Sequence, residues 1–155
     1  MASADETATR LGLEFPTKIR KGGGVAAARR VGDLLFVSGH GPEDNDGKLL
    51  FRGQVGAEIS IEAGYQAARA AGVQLLRSIK DEVGSLDRVE YIVKALGFVN
   101  SAPGFFEQPQ VMHGFSDLMI EVFGQNGVHA RSAIGTSSLP MNQPVEIELI
   151  VALRH

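Results

Sequence analysis

His129-Ala130-Arg131-Ser132-Ala133-Ile134-Gly135-Thr136-Ser137-Ser138-Leu139-Pro140, followed by Pro144-Val145-Glu146-Ile147-Glu148-Leu149-Ile150-Val151, is the stretch that governs how the rest of the chain is read. A lone arginine enters a short strand, a Leu-Pro turn reverses the chain, and an alternating Val-Glu-Ile-Glu strand returns. An arginine at a strand mouth is a bidentate anchor for a small carboxylate, because its planar fork matches two oxygens. A glutamate nearby can accept a proton or orient a water. The pairing points to a site for a small organic acid.

Working outward, the remaining elements follow from periodicity and punctuation. Ser3-Ala4-Asp5-Glu6 is a capping-box pattern, so a short helix is expected from about Ala4 to Leu11, stopping near Gly12. Lys21-Gly22-Gly23-Gly24 reads as a flexible loop. Val25 to Val31 and Leu34 to Ser38 read as paired strands about a tight Gly32-Asp33 turn, and Gln54-Val55 as a further short strand. Ser60 caps a helix that runs to about Val83, with Tyr65, Ala68, Gly72, Leu75, Ile79 and Val83 on one apolar face and Gly84 beyond it. Arg88 to Asn100 is nearly all apolar on both alternations, as in a central strand covered on both faces. Val111, Phe115, Leu118 and Val122 mark a second amphipathic helix ended by Gly124. Ser132 to Ser138 and Val145 to Leu153 are the closing strands. The order β-β-β-α-β-α-β-β, with two helices able to cover one sheet face, is that of an α+β protein.

At 155 residues the chain is long enough for a real core. Its 15 Lys and Arg against 18 Asp and Glu leave a net charge of −3, which builds no strong phosphate-attracting field. The basic clusters Lys18-Ile19-Arg20-Lys21 and Arg29-Arg30 read as solvated loop and edge charges. With no cysteine, thiolate metal sites, thiol nucleophiles and disulfides are excluded. His40, His113, His129 and His155 lack metal-ligand spacing, so no metal is expected. Gly22-Gly23-Gly24 lacks the lysine and hydroxyl of a phosphate loop, and Ser132, Ser137 and Ser138 lack a nucleophile elbow. The acidic N-terminus has no hydrophobic signal core, so a soluble, cytoplasmic protein without a membrane partner is expected.

The closing stretch resembles the C-terminal signature of the RidA (YjgF-like, L-PSP endoribonuclease-like) family: Arg131-Ser132, then Leu139-Pro140, then Val145-Glu146-Ile147-Glu148. Gly32-Asp33-Leu34-Leu35-Phe36-Val37-Ser38-Gly39 is similar to the same family's hydrophobic strand ending in Ser-Gly. The resemblance spans residues 17 to 154, which implies a 1–16 N-terminal extension with a short helix and a single 17–155 domain. It implies a chorismate-mutase-like α+β fold with a mixed sheet, two helices on one face, and a homotrimer with clefts between subunits. It further implies that Arg131 holds the substrate carboxylate, that Glu146 is the functional glutamate, and that Ser38 and Gly39 line the cleft. Glu148, on the same side of the strand as Glu146, is read as part of a solvated sheet face.

The chain departs from the family pattern at four cleft positions. Val25 stands where deaminating members carry a covering tyrosine, His40 where many have glutamine, His113 where asparagine is common, and Ala133 where many have cysteine. A valine cannot donate a hydrogen bond, whereas a histidine can titrate near neutral pH. A geometric expectation comes from the Leu-Pro turn. If the flanking strands pair as a hairpin, Glu146 sits about six residues, roughly 20 Å, along the strand from Arg131. The two would then share a ligand only when they come from different subunits.

Three functions compete. The resemblance implies first a cofactor-independent enamine/imine deaminase, which hydrolyses 2-aminoacrylate-type 2-imino acids (2-iminopropanoate, 2-iminobutanoate) to 2-keto acids and ammonia. The second is a non-catalytic trimer that binds a keto acid or related small carboxylate. The endoribonuclease or translation-initiation-inhibitor role ranks last, because the chain is acidic and has no aromatic-basic surface for nucleic acid.

Overall fold

The computed structural model describes residues 1–15 and 23–155. The Lys18-Ile19-Arg20-Lys21 cluster and the first part of the glycine loop lie outside them. Among the described residues five strands form one sheet: β1 (Ala28–Val31), β2 (Leu34–His40), β3 (Val89–Asn100), β4 (Ala130–Thr136) and β5 (Val145–Leu153). Among the same residues three α-helices accompany them: α1 (Ala4–Arg10), α2 (Ile61–Val83) and α3 (Gln108–Phe123).

The helix ends follow their local chemistry. Ser3 and Glu6 form the reciprocal capping box at α1. Ser60 Oγ accepts the Ala63 N–H at the start of α2, and Gly84 closes that helix with φ 86°, a left-handed conformation that suits glycine. Pro109 occupies the first turn of α3, where its missing N–H costs nothing. α2 and α3 pack closely because Gly114 faces the α2 backbone: a Cβ there would lie 1.9 Å from the Tyr65 carbonyl oxygen. α1 is tied down by Asp5, which accepts from Lys80 Nζ (2.8 Å) and Ser85 Oγ (2.6 Å).

The sheet order is β1-β2-β5-β3-β4, with β3 and β4 parallel and the other pairs antiparallel. The expected hairpin between the last two strands is therefore corrected: β4 and β5 are not neighbours, because β3 lies between them. The long, mostly apolar β3 takes a partner on each edge. α3 carries the chain over from β3 to a parallel β4, and the segment after the Leu-Pro turn crosses to the far edge of β3. Gln54-Val55 is likewise corrected: Val55 makes only isolated bridges to Ile59 and Ser101.

Register assigns each strand residue to a face. Leu35, Val37, Ala95, Val99, Val145, Ile147, Leu149 and Val151 are buried beneath α2 and α3 with Leu75, Ile79, Met112 and Phe115. On the opposite face no helix of the described residues sits: Leu34, Phe36 and Ile134 are exposed, and Leu96 and Phe98 are half-buried. The expectation that β3 is covered on both faces thus holds within this chain for one face. Among the described residues no helix is long and apolar enough to cross a membrane.

Candidate functional site

Arg131 enters β4 opposite Ala95, on the helix-covered side of the sheet. Its guanidinium meets one stripe of α3, formed by Pro109, His113 and Ser116 at helical spacing. Nη1 donates to Ser116 Oγ (3.0 Å) and to His113 Nδ1 (3.3 Å), and Nη2 donates to the Pro109 carbonyl (3.4 Å). A guanidinium has five N–H donors. Three are engaged, which leaves the Nε–H and one Nη2–H, the pair of donors that a bidentate carboxylate takes. Among the described residues no carboxylate lies within ion-pair distance of Arg131. Burial pushes its pKa down, and the charge of Asp117 partly offsets that.

Behind Ser116 stands His129. Its Nδ1 lies 2.6 Å from the Gly127 carbonyl and its Nε2 lies 2.9 Å from Ser116 Oγ. Its ring packs edge-on against Phe115, with centroids 5.3 Å apart. Burial pulls the His129 pKa below 6.5, and the charge of Arg131 adds to this against the Gly127 hydrogen bond.

On the outer side of the same helix stripe, a groove of about 650 Å³ runs between α2 and α3 and is bordered by Tyr65, Gln110, His113 and Asp117. Tyr65 donates its hydroxyl to Asp117 (2.7 Å), which raises the Tyr65 pKa. His113 is the residue common to this groove and to the Arg131 contacts.

Glu146 is built into a separate cluster. It pairs with Phe98 across the sheet, on the face without helices, so Arg131 and Glu146 point away from each other. Its carboxylate accepts from Gln143 Nε2 (3.3 Å). The end of β2 makes room for it: a Cβ on Gly39 would lie 2.9 Å from Glu146 Cδ, and one on Gly41 1.9 Å from Gln143 Oε1. Asn100, buried, donates to Asn142 Oδ1 and to the Gln143 carbonyl (3.2 Å each) and accepts from Gln54 (3.3 Å). Met141 and Asn142 adopt left-handed φ of 56° and 59°, with their carbonyls held by Arg52 (2.9 Å) and by the Gly53 N–H (2.8 Å).

The sequence-selected residues therefore fall into two groups. Arg131 and His113 are brought together; Gly39 and Glu146 are brought together. Ser38, next to Gly39, donates its hydroxyl to the Ala26 carbonyl (2.6 Å). Ala133 lies two residues along β4 from Arg131, opposite Gly97, packed against the core. His40 is buried on the helix side, with Nδ1 at the Ser38 carbonyl and Nε2 2.6 Å from Ser78 Oγ. Val25 is exposed. Glu148 is exposed on the same face as Glu146.

Ser116, His129, Gln143 and Asn100 were not singled out from sequence. Ser116 is the one with a findable signal, since it continues the stripe of Pro109 and His113 in α3. Among the described residues no group of three or more His, Cys, Asp or Glu could hold a metal ion.

Residues 6–153 match the family model described as "YjgF/chorismate_mutase-like, putative endoribonuclease". The chain is 38% identical to Protein TCP17 of Trypanosoma cruzi over 147 residues, which cover 94% of this chain and 91% of that protein. It is 31% identical to a Shewanella oneidensis MR-1 protein whose crystal structure is described as that of "a putative endoribonuclease", with a TM-score of 0.92 and coverage of 98% and 100%. Escherichia coli TdcF with bound serine shares the fold at 20% identity, with a TM-score of 0.60 and coverage of 87% and 91%.

Proposed function

Because the chain belongs to the YjgF/chorismate mutase-like family, we propose that it is an enamine/imine deaminase acting on small 2-imino acids. The observation that carries this reading is the Arg131 guanidinium. It is fixed on α3 through three donors, has no internal carboxylate among the described residues, and keeps two N–H groups for a ligand. A carboxylate bound there is oriented in one plane, which sets the direction from which water reaches the imine carbon. That TdcF carries serine, a small amino acid with one carboxylate, agrees with a ligand of this class.

The reaction needs water and no redox partner. Water adds to the C=N carbon, the nitrogen gains a proton, and the tetrahedral carbinolamine expels ammonia to leave the 2-keto acid. Glu146 accepts the proton of the attacking water and returns it to the leaving nitrogen. Gln143 holds the Glu146 carboxylate from one side, and the glycines at 39 and 41 let both side chains lie against the end of β2.

Arg131 and Glu146 face opposite sides of one sheet, so one chain cannot present both to one small molecule. On this reading the site forms between copies, in the homotrimer that the family resemblance implies, and the exposed Leu34, Phe36 and Ile134 of the other sheet face support burial between subunits. A second reading, a trimer that binds a keto acid without turnover, is favoured by Val25, whose exposed side chain offers no hydroxyl to orient an imine.

The test couples the protein to an enzyme that generates 2-aminoacrylate and follows imine decay beside Arg131→Ala. Decay accelerated by the wild type and not by the variant is the expected result. Solvent-rate decay together with saturable pyruvate binding would replace the deaminase by the binding reading.

A further inference from the structure

We infer that His129 is a positioning residue for Arg131, acting through the hydroxyl of Ser116. The inference rests on the reading of Arg131 as the carboxylate anchor, and it assigns the residue that decides how the anchor is held.

The direction of each bond follows from what each atom can do. The Gly127 carbonyl can only accept, so His129 Nδ1 carries the proton across their 2.6 Å contact. In a neutral imidazole the other nitrogen is then an acceptor, and Nε2 takes the Ser116 hydroxyl proton at 2.9 Å. With its proton committed to His129, Ser116 Oγ turns its lone pairs outward, and Arg131 Nη1 donates to one of them at 3.0 Å. The polarity runs one way: Arg131 to Ser116 to His129 to the Gly127 carbonyl. On the other side of Nη1, His113 Nδ1 also accepts, so the two histidines flanking one guanidinium hold opposite tautomers.

The surroundings make this arrangement stiff. His129 is wedged against Phe115, and Gly127 sits so close to α3 that a Cβ would lie 2.1 Å from the Met119 carbonyl oxygen. The Gly127 carbonyl is therefore a fixed reference point, and the relay transmits that fixed position to the guanidinium. Without His129 the Ser116 hydroxyl proton loses its outside acceptor and turns to the helix carbonyl one turn back, which swings the lone pairs off Nη1 and lets the fork rotate out of plane with its ligand. Among the described residues Arg131 of β4 is the charged group whose field reaches the ring. His129 contributes to positioning only while it is neutral.

Two measurements test this. The first needs no ligand: ¹⁵N NMR of the imidazoles in the full chain at pH 7.5 should show His129 as the Nδ1–H tautomer, and finding the Nε2–H tautomer would overturn the relay. The second is pyruvate affinity in His129→Phe, His129→Gln, Ser116→Ala and the double variant Ser116→Ala/His129→Phe. His129→Phe, which keeps the ring packing, should weaken binding about tenfold. His129→Gln, whose amide can supply an acceptor for Ser116, should recover most of that loss. The double variant should bind no worse than Ser116→Ala alone, since both act on one contact. Full additivity of the two losses would show His129 to be merely structural. Absence of pyruvate binding in the wild type would count against the carboxylate-anchor reading, while the tautomer result would still stand or fall separately.

Discussion

The arginine end and the glutamate end of the sheet hold their functional groups by different means. Arg131 is held from behind by side chains of one helix and by a histidine that fixes a hydroxyl. Glu146 is held by space and backbone: glycines at the end of β2, a glutamine, and a turn with two left-handed residues whose carbonyls are bonded. The first arrangement suits a cation that must keep its plane, because planarity is what a bidentate carboxylate reads. The second suits a carboxylate that must exchange a proton, since few donors compete for its oxygens. The two lie on opposite faces of the sheet, so in the proposed function each is a half-site.

The contrast can be broken at either half. The largest expected effect is at the arginine: Arg131→Ala should lower kcat/KM by about 10²–10³-fold and abolish measurable pyruvate binding. Arg131→Lys should restore little, because a point charge lacks the fork. Next comes the glutamate. Glu146→Gln should lower kcat by about 10²-fold while pyruvate affinity stays within a few-fold of wild type. Equal loss of binding in both variants would erase the distinction between anchor and proton carrier. A smaller effect sharpens the glutamate half: Gly39→Ala pushes on Glu146 Cδ and should cost about 1 kcal/mol in urea unfolding, with kcat falling more than affinity.

The smallest effect lies away from both halves and serves as their control. Asp5 is partly desolvated, which raises its pKa, but hydrogen bonds from Lys80 and Ser85 and the charge of Lys80 outweigh this and hold it below 3.8. A carboxylate with a depressed folded pKa contributes stability above its unfolded pKa and loses it as pH falls through the folded value. Asp5→Asn should therefore lower stability by about 0.5–1 kcal/mol at pH 7. The gap should close below 3.8, with activity unchanged at either half-site.

Much of the fold was legible because its signals are local. Ser60, Gly84 and Gly124 bound the two long helices as their chemistry requires, the Ser3/Glu6 box formed, and β5 runs over the expected Val145–Leu153. Strand pairing was less legible, since alternation assigns faces within a strand but does not say which strand lies beside it. That is why β4 and β5 read as a hairpin when β3 separates them. At the arginine half, Arg131 and His113 stood out by motif position, but Ser116 and His129 are meaningful only once α3 lies against β4. At the glutamate half, Asn100 and Gln143 carry polar groups whose importance comes from burial, which no local pattern in these stretches announces.

The most direct test of two half-sites joined between chains is a mixed assembly. Arg131→Ala and Glu146→Gln chains, each inactive alone, are co-refolded in equal amounts and assayed for imine decay. Sites built from two chains should recover about one quarter of wild-type activity, since one random pairing in four unites an intact Arg131 with an intact Glu146. Activity that stays at the level of the separate variants, in assemblies shown to contain both chains, would contradict the account.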